Sequence, residues 1–161
     1  MTIYLDASFL VALFVKDALT TEADAFLRAK RPLLVISDFA AAECVSAIGR
    51  RVRIGNLTAN EARFAFVSLD AWAARATRWE EVTPSDVRAA DGYLRRLDLT
   101  LRTPDALNIA IAQRVGAALA TFDKRMAASA RALGADLAPL STEARLRTTV
   151  PDPGQGSREC P

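Results

Sequence analysis

The sequence predicts an α/β sandwich built on a mostly parallel sheet. Apolar runs of strand length alternate with longer segments of helical periodicity, which is the pattern of strand–helix–strand crossovers. Many of the helical segments carry their own start and stop residues. No internal repeat and no long polar break divides the 161 residues, so the chain reads as one domain.

The elements follow in order. Thr2 to Leu5 is a buried strand that ends at Asp6. Asp6, Ala7 and Ser8 open an apolar helix, Phe9 to Val15, and a second helix covers Ala18 to Lys30, with Ala23, Phe26 and Leu27 on its apolar side. Pro32 breaks that helix, and Leu33 to Ile36 is the next strand. Ser37 and Asp38 offer an N-cap for a long helix from Phe39 to about Ile54, ended by Gly55 and Asn56. Thr58 with Glu61 three residues on forms a capping box. It starts a helix to about Arg75 that includes Phe64, Val67 and Leu69. Thr77 to Val82 is a further strand, and Pro84 and Asp86 start a helix to about Leu97.

The segment from Arg102 to Met126 organises the rest. Thr103 reads as an N-cap and Pro104 as the first helical residue, because proline's missing N–H has no partner to lose there. Leu107, Ala110, Ile111 and Val115 form a stripe at helical spacing, and Gly116 stops the helix. Ala117 to Thr121 is a short strand. A helix from Lys124 to Leu133 follows, stopped by Gly134, and a last short strand falls near Ala135 to Ala138. The Pro-, Gly- and Ser-rich end, Val150 to Pro161, is expected to be disordered. The folded domain is therefore assigned to 1–140, with a C-terminal extension at 141–161 that is disordered beyond about residue 148.

A chain of this length buries roughly 70% of the surface that it exposes when unfolded. Hydrophobic residues make up 51% and charged residues 25%, an ordinary globular balance. Lys16 and Asp17 interrupt the apolar run from Phe9 to Val15, too short to span a membrane. Asp6 stands where the apolar core of a signal peptide would have to run, so the expected location is cytoplasmic. Cys44 and Cys160 show no pairing pattern, and histidine is absent. This excludes His-dependent triads and His-based zinc hydrolases, and leaves hydrolytic chemistry to carboxylates, hydroxyls, Lys/Arg and hard metal ions. The net charge of +2 is too small to indicate nucleic acid by itself. Arg50, Arg51 and Arg53, then Arg95, Arg96 and Arg102, then Lys124 and Arg125 form local clusters that would suit a phosphate-bearing polymer, or serve as solvated helix faces.

The acids carry the chemistry. In open parallel sheets, sites form beyond the carboxyl ends of the strands. Asp6 directly follows the first strand, Asp123 follows the strand around Leu119, and Asp105 lies in the first turn of the helix leading into that strand. Glu43 sits in a helix among Ala40, Ala41, Ala42 and Cys44, where an unpartnered carboxylate is costly. Each has an ordinary alternative: Asp6 and Asp123 as caps, Asp105 as a favourable charge at a helix start, Glu43 as a solvated edge residue. If they converge, like charges need a cation, and all-oxygen ligands select Mg²⁺ or Mn²⁺. Ser8 and Thr121, each two residues from an acid, are placed to hold the carboxylates or a metal-bound water. Glu22, Asp24, Glu61, Asp86 and Asp91 fall at helix starts or on mixed faces and are assigned no chemistry. Asp38 reads as a cap.

Ile3-Tyr4-Leu5-Asp6-Ala7-Ser8, Glu43 within a helix, Thr103-Pro104-Asp105-Ala106-Leu107 and Ala120-Thr121-Phe122-Asp123 together resemble a PIN domain. More narrowly, they resemble the VapC-type toxins of bacterial type II toxin–antitoxin modules. The similarity spans roughly Thr2 to Leu140. It implies a three-layer α/β/α sandwich and a Mg²⁺-dependent ribonuclease. Its acidic cluster falls on Asp6, Glu43, Asp105 and Asp123, with Asp6 and Asp105 nearest the metal. It also implies a cognate antitoxin covering the site, and a homodimer. Asn108 departs from the pattern, since many relatives carry histidine there, and a change in fine tuning is expected. The Pro/Gly-rich tail is also outside the family pattern.

The expected reaction is hydrolysis of an RNA phosphodiester by a metal-activated water. Asp6 and Asp105 are the direct ligands in this reading. Glu43 orients the water or acts as base, Asp123 completes a second metal position or supports the first, and Lys124 and Arg125 contact the RNA backbone. Two rivals are a different Mg²⁺-dependent phosphate enzyme, such as a phosphatase, and a PIN-like fold reduced to binding. The first lacks its usual Asp-x-Asp, since Ala7 and Ser8 follow Asp6. The second would have no reason to bind Mg²⁺ at the acids.

Overall fold

The structure is a computed structural model that describes residues 1–30 and 32–140. Strand β1 (Thr2–Leu5) leads into α1 (Ala7–Phe14) and α2 (Thr20–Lys30), and the chain returns as β2 (Leu33–Ser37). Helices α3 (Asp38–Arg53) and α4 (Ala59–Ala76) carry it to β3 (Thr77–Glu80). Helices α5 (Pro84–Leu94) and α6 (Thr103–Arg114) bring it back to β4 (Ala118–Ala120), and α7 (Lys124–Ala132) follows.

The sheet has the order β3-β2-β1-β4, and every pairing is parallel. Tyr4 in β1 lies opposite Val35 of β2 and Leu119 of β4. Two crossovers step in one direction, from β1 to β2 and from β2 to β3. Right-handed connections put both of their helix pairs on one face. The third crossover runs back from β3 past β2 and β1 to β4, so α5 and α6 belong to the other face. Packing agrees: α1 contacts α2, α3 and α4, whereas α6 contacts α5 and α7. The result is the expected three-layer sandwich with a parallel sheet.

Strand β1 is the centre of the core. Ile3, Tyr4 and Leu5 are wholly buried, as are Phe9 and Leu10 of α1 and Val35 and Ile36 of β2. Helix α6 is buried more completely than its predicted stripe allows. Every residue from Asp105 to Ala112 is buried, while Val115, the last residue of the stripe, is its half-buried C-cap. The small residues Ala106, Ala110 and Ala112 let β4, α5 and α7 close around it.

Most boundaries agree with the sequence, and the differences have local causes. Helix α1 starts at Ala7 because the Asp6 side chain caps it. Helix α6 starts one residue before the expected position: Arg102 is the N-cap, and Asp105 at the third helical position reaches back to the Arg102 N–H at 3.3 Å. Helix α5 stops at Leu94, short of Leu97, where Arg95 caps it and Leu97 is 96% exposed, so that extension would bury nothing. The strand expected at Ala135 to Ala138 is a single bridge, Leu119 to Leu137, fixed by backbone bonds from Leu119 N to Asp136 O and from Ala138 N to Leu119 O. The Thr58–Glu61 capping box forms as read. Gly134, with φ of 72°, ends α7 in a conformation that costs other residues a Cβ clash.

Cys44 is fully buried, and burial, followed by the Asp6 charge, pushes its thiol up to about 12, leaving it inert. Phe64 and Val67 of α4 point to solvent. Among the described residues, no helix is long and apolar enough to cross a membrane. The C-terminal extension, with Cys160 and its expected disorder, lies outside the described residues.

Candidate active site

The strand order reverses between β1 and β4, since their flanking helices lie on opposite faces. Beyond the carboxyl ends of two such strands the connections diverge and leave a crevice. Asp6 and Thr121 lie at this edge, one immediately after each strand. The Asp6 N–H continues the ladder to Ala120 O at 3.2 Å, which fixes the backbone there. Its carboxylate then accepts from the Phe9 N–H at 2.9 Å, from Ser8 Oγ at 2.8 and 2.9 Å, and from Thr121 Oγ1 at 2.8 Å. Thr121 Oγ1 in turn accepts the Asp123 N–H at 3.0 Å, and Ser8 Oγ accepts the Phe122 N–H at 2.9 Å. The Phe122 ring stacks on Phe9, 5.3 Å between centroids, and anchors the same turn in the core. The two hydroxyls singled out in the sequence therefore join the β1 and β4 edges.

Asp6 is 3% exposed, and its pKa is raised to about 6 by burial, against the hydrogen bonds from Phe9, Ser8 and Thr121. The sign of the resulting linkage is fixed. Between about pH 4 and pH 6 the folded protein holds a proton that the unfolded chain has released. This contribution is complete at low pH and is lost as pH rises through about 6. In EDTA, chemical denaturation should give a stability roughly 1 kcal/mol higher at pH 5 than at pH 7.5. Asp6→Asn should remove that difference; if the difference persists in the variant, the proton belongs to another group.

Asp105 and Asp123 meet through Arg102. Arg102 donates from Nε to Asp105 Oδ2 at 3.0 Å, and from Nη2 to Asp105 Oδ1 at 3.1 Å and Asp123 Oδ2 at 3.2 Å. Asp123 also caps α7, accepting the Arg125 and Met126 N–H groups at 2.8 and 3.1 Å. Its capping oxygen is Oδ1, so Oδ2 stays directed at Arg102. One side chain thus caps a helix and faces the candidate site at once, as Asp6 does at α1.

Glu43 enters from α3. Its Oε2 accepts from Asn108 Nδ2 at 2.6 Å, and the same amide donates to Pro104 O at 3.1 Å. Asn108 Oδ1 accepts from the Tyr4 hydroxyl at 2.7 Å. Since that phenol has one proton, Ser37 Oγ, 2.6 Å away, donates to it. A reversed amide would turn an oxygen on the Glu43 carboxylate, so the direction of the chain from Ser37 through Tyr4 and Asn108 to Glu43 is set. Burial raises the Glu43 pKa; the Asn108 bond opposes this, the Asp105 charge adds to it and Arg102 opposes it. Burial likewise raises the Tyr4 phenol, which stays neutral. Tyr4 and Ser37 thus support Asn108 through contacts that no local sequence pattern marks. The sequence shows only a tyrosine in the central strand, whose hydroxyl must find a buried partner.

All four predicted acids thus reach one edge, in two groups. Asp105 and Asp123 are bridged by Arg102, whose charge is also felt by Glu43, and Asp6 lies in its hydroxyl cage. The donor chemistry fits a hard divalent cation, being all oxygen with neither thiolate nor imidazole. Asp105 and Asp123 already share one positive group. In this arrangement, however, no three acids among the described residues converge closely enough to hold an ion, and no buried side-chain polar atom among them lacks a partner. Lys124 and Arg125 are exposed at the start of α7, form no ion pair among the described residues, and line a cleft of about 550 Å³ with Asp98, Leu99 and Thr100.

Solved structures share this fold. VapC20 from Mycobacterium tuberculosis is 24% identical, with a TM-score of 0.63 over 79% of this chain and 94% of its own. VapBC2 from Rickettsia felis, bound to a DNA fragment from its promoter, is 16% identical, with a TM-score of 0.65 over 86% and 98%. FitAcB from Neisseria gonorrhoeae is 13% identical, with a TM-score of 0.58 over 80% and 93%. No curated protein sequence matches the chain. The PIN domain model matches residues 3–132, from the first residues of β1 to the end of α7, and takes in all four acids. With the parallel sheet and the acids at its carboxyl edge, that match settles the family: the chain belongs to the PIN domains.

Proposed function

We propose that the chain is a Mg²⁺-dependent endoribonuclease, with Mn²⁺ able to replace Mg²⁺, and the toxin of a type II toxin–antitoxin pair. The observation that carries this reading is the placement of Asp6 and Asp123 just beyond the carboxyl ends of β1 and β4, with Asp105 joined to Asp123 through Arg102 and Glu43 held by Asn108 of the same helix as Asp105. VapC20, which shares the fold, is described as a toxin that cleaves the sarcin–ricin loop. In this reading the protein works in the cytoplasm as a homodimer, and a cognate antitoxin covers the acids until it is removed.

Asp6 and Asp105 would hold the divalent ion, with Glu43 and Asp123 completing its surroundings. Such an ion supplies Lewis-acid charge at the phosphoryl oxygens and lowers the pKa of the attacking water. Ser8 and Thr121 keep the Asp6 carboxylate aimed along the edge. Asn108, oriented by Tyr4, holds Glu43 where it orients the attacking water and takes up its proton. Asn108 therefore keeps a donor directed at Glu43 where many relatives carry histidine. Lys124 and Arg125 bind backbone phosphates at the cleft beside Asp123 and set the register of the strand. A phosphatase working through a second acid two residues beyond Asp6 is disfavoured, because Ser8 holds that position and is committed to Asp6.

The test is cleavage of total bacterial RNA by the purified protein free of antitoxin. Discrete fragments are expected with Mg²⁺, and none with EDTA or from Asp6→Asn. Cleavage that persists in EDTA would remove the metal from the mechanism. Absence of cleavage in every lane, from a folded protein that binds no Mn²⁺, would leave a binding module.

A further inference from the structure

Arg102 differs from the arginines nearest to it in sequence. Arg95 pairs with Asp91, and Arg96 with Asp98, neither of them one of the four acids. Arg102 alone of the three reaches these acids, and its guanidinium engages Asp105 and Asp123 together. It occupies the position between two carboxylates that a cation of the proposed enzyme would need. Its side chain is 68% exposed, so that leaving uncovers no core. Its backbone N–H bonds to Asp105 independently of the side chain, so the start of α6 keeps that contact when the guanidinium leaves. Exposed ion pairs are weak, and a divalent ion carries twice the charge of the group that it displaces.

We propose that Arg102 is a tethered counter-cation: it neutralises Asp105 and Asp123 in the metal-free protein and competes with the divalent ion for them. This rests on the metal-dependent reading above and adds a built-in competitor to it. The bridge accounts for the spacing of the acids: the guanidinium lies between Asp105 and Asp123, and among the described residues no three acids stand close enough to chelate. Metal entry then requires Arg102 to swing out, which frees a third cation next to Lys124 and Arg125. Metal occupancy and the charge available to phosphate are thereby linked.

The test is Mn²⁺ binding to the full chain without nucleic acid, by isothermal titration and by the loss of the free-ion paramagnetic resonance signal. Arg102→Gln should tighten Mn²⁺ binding about tenfold, since two exposed ion pairs no longer oppose it. Arg95→Gln, on the same connection but away from the acids, should leave the affinity unchanged, and Asp105→Asn should lose binding. Equal or weaker binding by Arg102→Gln, with wild-type binding intact, would overturn the competition and leave the metal site standing. No binding by wild type or by Arg102→Gln at millimolar Mn²⁺ would overturn the metal reading itself, and the competitor with it.

Discussion

Asp105→Asn should slow RNA cleavage by about a thousandfold and abolish growth inhibition on expression, with the fold intact. The size follows from the position. Direct metal ligation is worth several kcal/mol of transition-state charge stabilisation, and each 1.4 kcal/mol is about tenfold in rate. The Arg102 N–H bonds to Asp105 Oδ2, and the amide oxygen of Asn can take that place, so the helix keeps its first turn. What disappears is the negative charge, and with it the ion pair to Arg102. That pair is largely exposed on its arginine side, so the change in stability should stay within about 1 kcal/mol. Rates on a defined RNA, with circular dichroism and melting of the same preparation, separate the two effects. A folded, soluble Asp105→Asn protein that remains fully toxic would sink the proposed mechanism.

The path from sequence to site was legible where physics is local. Caps are local: Thr58 with Glu61, Ser37 before α3, and Asp123 before α7 all follow from one turn of chain. The junction positions of Asp6, Asp105 and Asp123 follow from the alternation of strands and helices, and the sheet brings them to one edge as expected. What lay hidden depends on partners far away in sequence. The Tyr4–Asn108 contact spans 104 residues, and the Asn108–Glu43 contact 65. No local pattern shows that Asn108 faces α3. Arg102 was visible only as a member of a basic cluster, although its spacing of three from Asp105 already allowed a pair on one helix face. The all-round burial of α6 was equally invisible, because a stripe count does not reveal how closely small residues let neighbours approach.

Asp86 is the sharpest case: in sequence it is an ordinary helix-start acid, and the structure makes it a buried charge. Its side chain is 1% exposed, and Oδ1 accepts from Arg114 Nε at 2.7 Å, while Oδ2 accepts the Thr83 N–H and hydroxyl at 2.8 Å each. Arg114 also reaches Glu80 at 3.1 Å and Glu81 O at 3.0 Å, tying the end of α6 to β3 and to the start of α5. Burial would raise the Asp86 pKa, but the Arg114 and Thr83 bonds outweigh it and hold the group below the usual carboxylate range. Removing the partner of a buried charge costs more than the contact contributes, because the survivor keeps its desolvation penalty. Arg114→Ala should therefore destabilise the protein by about 3 kcal/mol, or lower Tm by about 10 °C. A depressed pKa gives stability that is present above the unfolded value and lost as pH falls, so the gap between wild type and Arg114→Ala should close below about pH 4. Asp86→Asn in the Arg114→Ala background should recover part of the loss, since the amide leaves no buried charge. Arg114 stands nine residues along α6 from Asp105, about 13 Å away at 1.5 Å per residue. The rate of RNA cleavage by the folded variant should accordingly match wild type at 25 °C. A loss below 1 kcal/mol at pH 7 would mean that water, and not Arg114, satisfies Asp86.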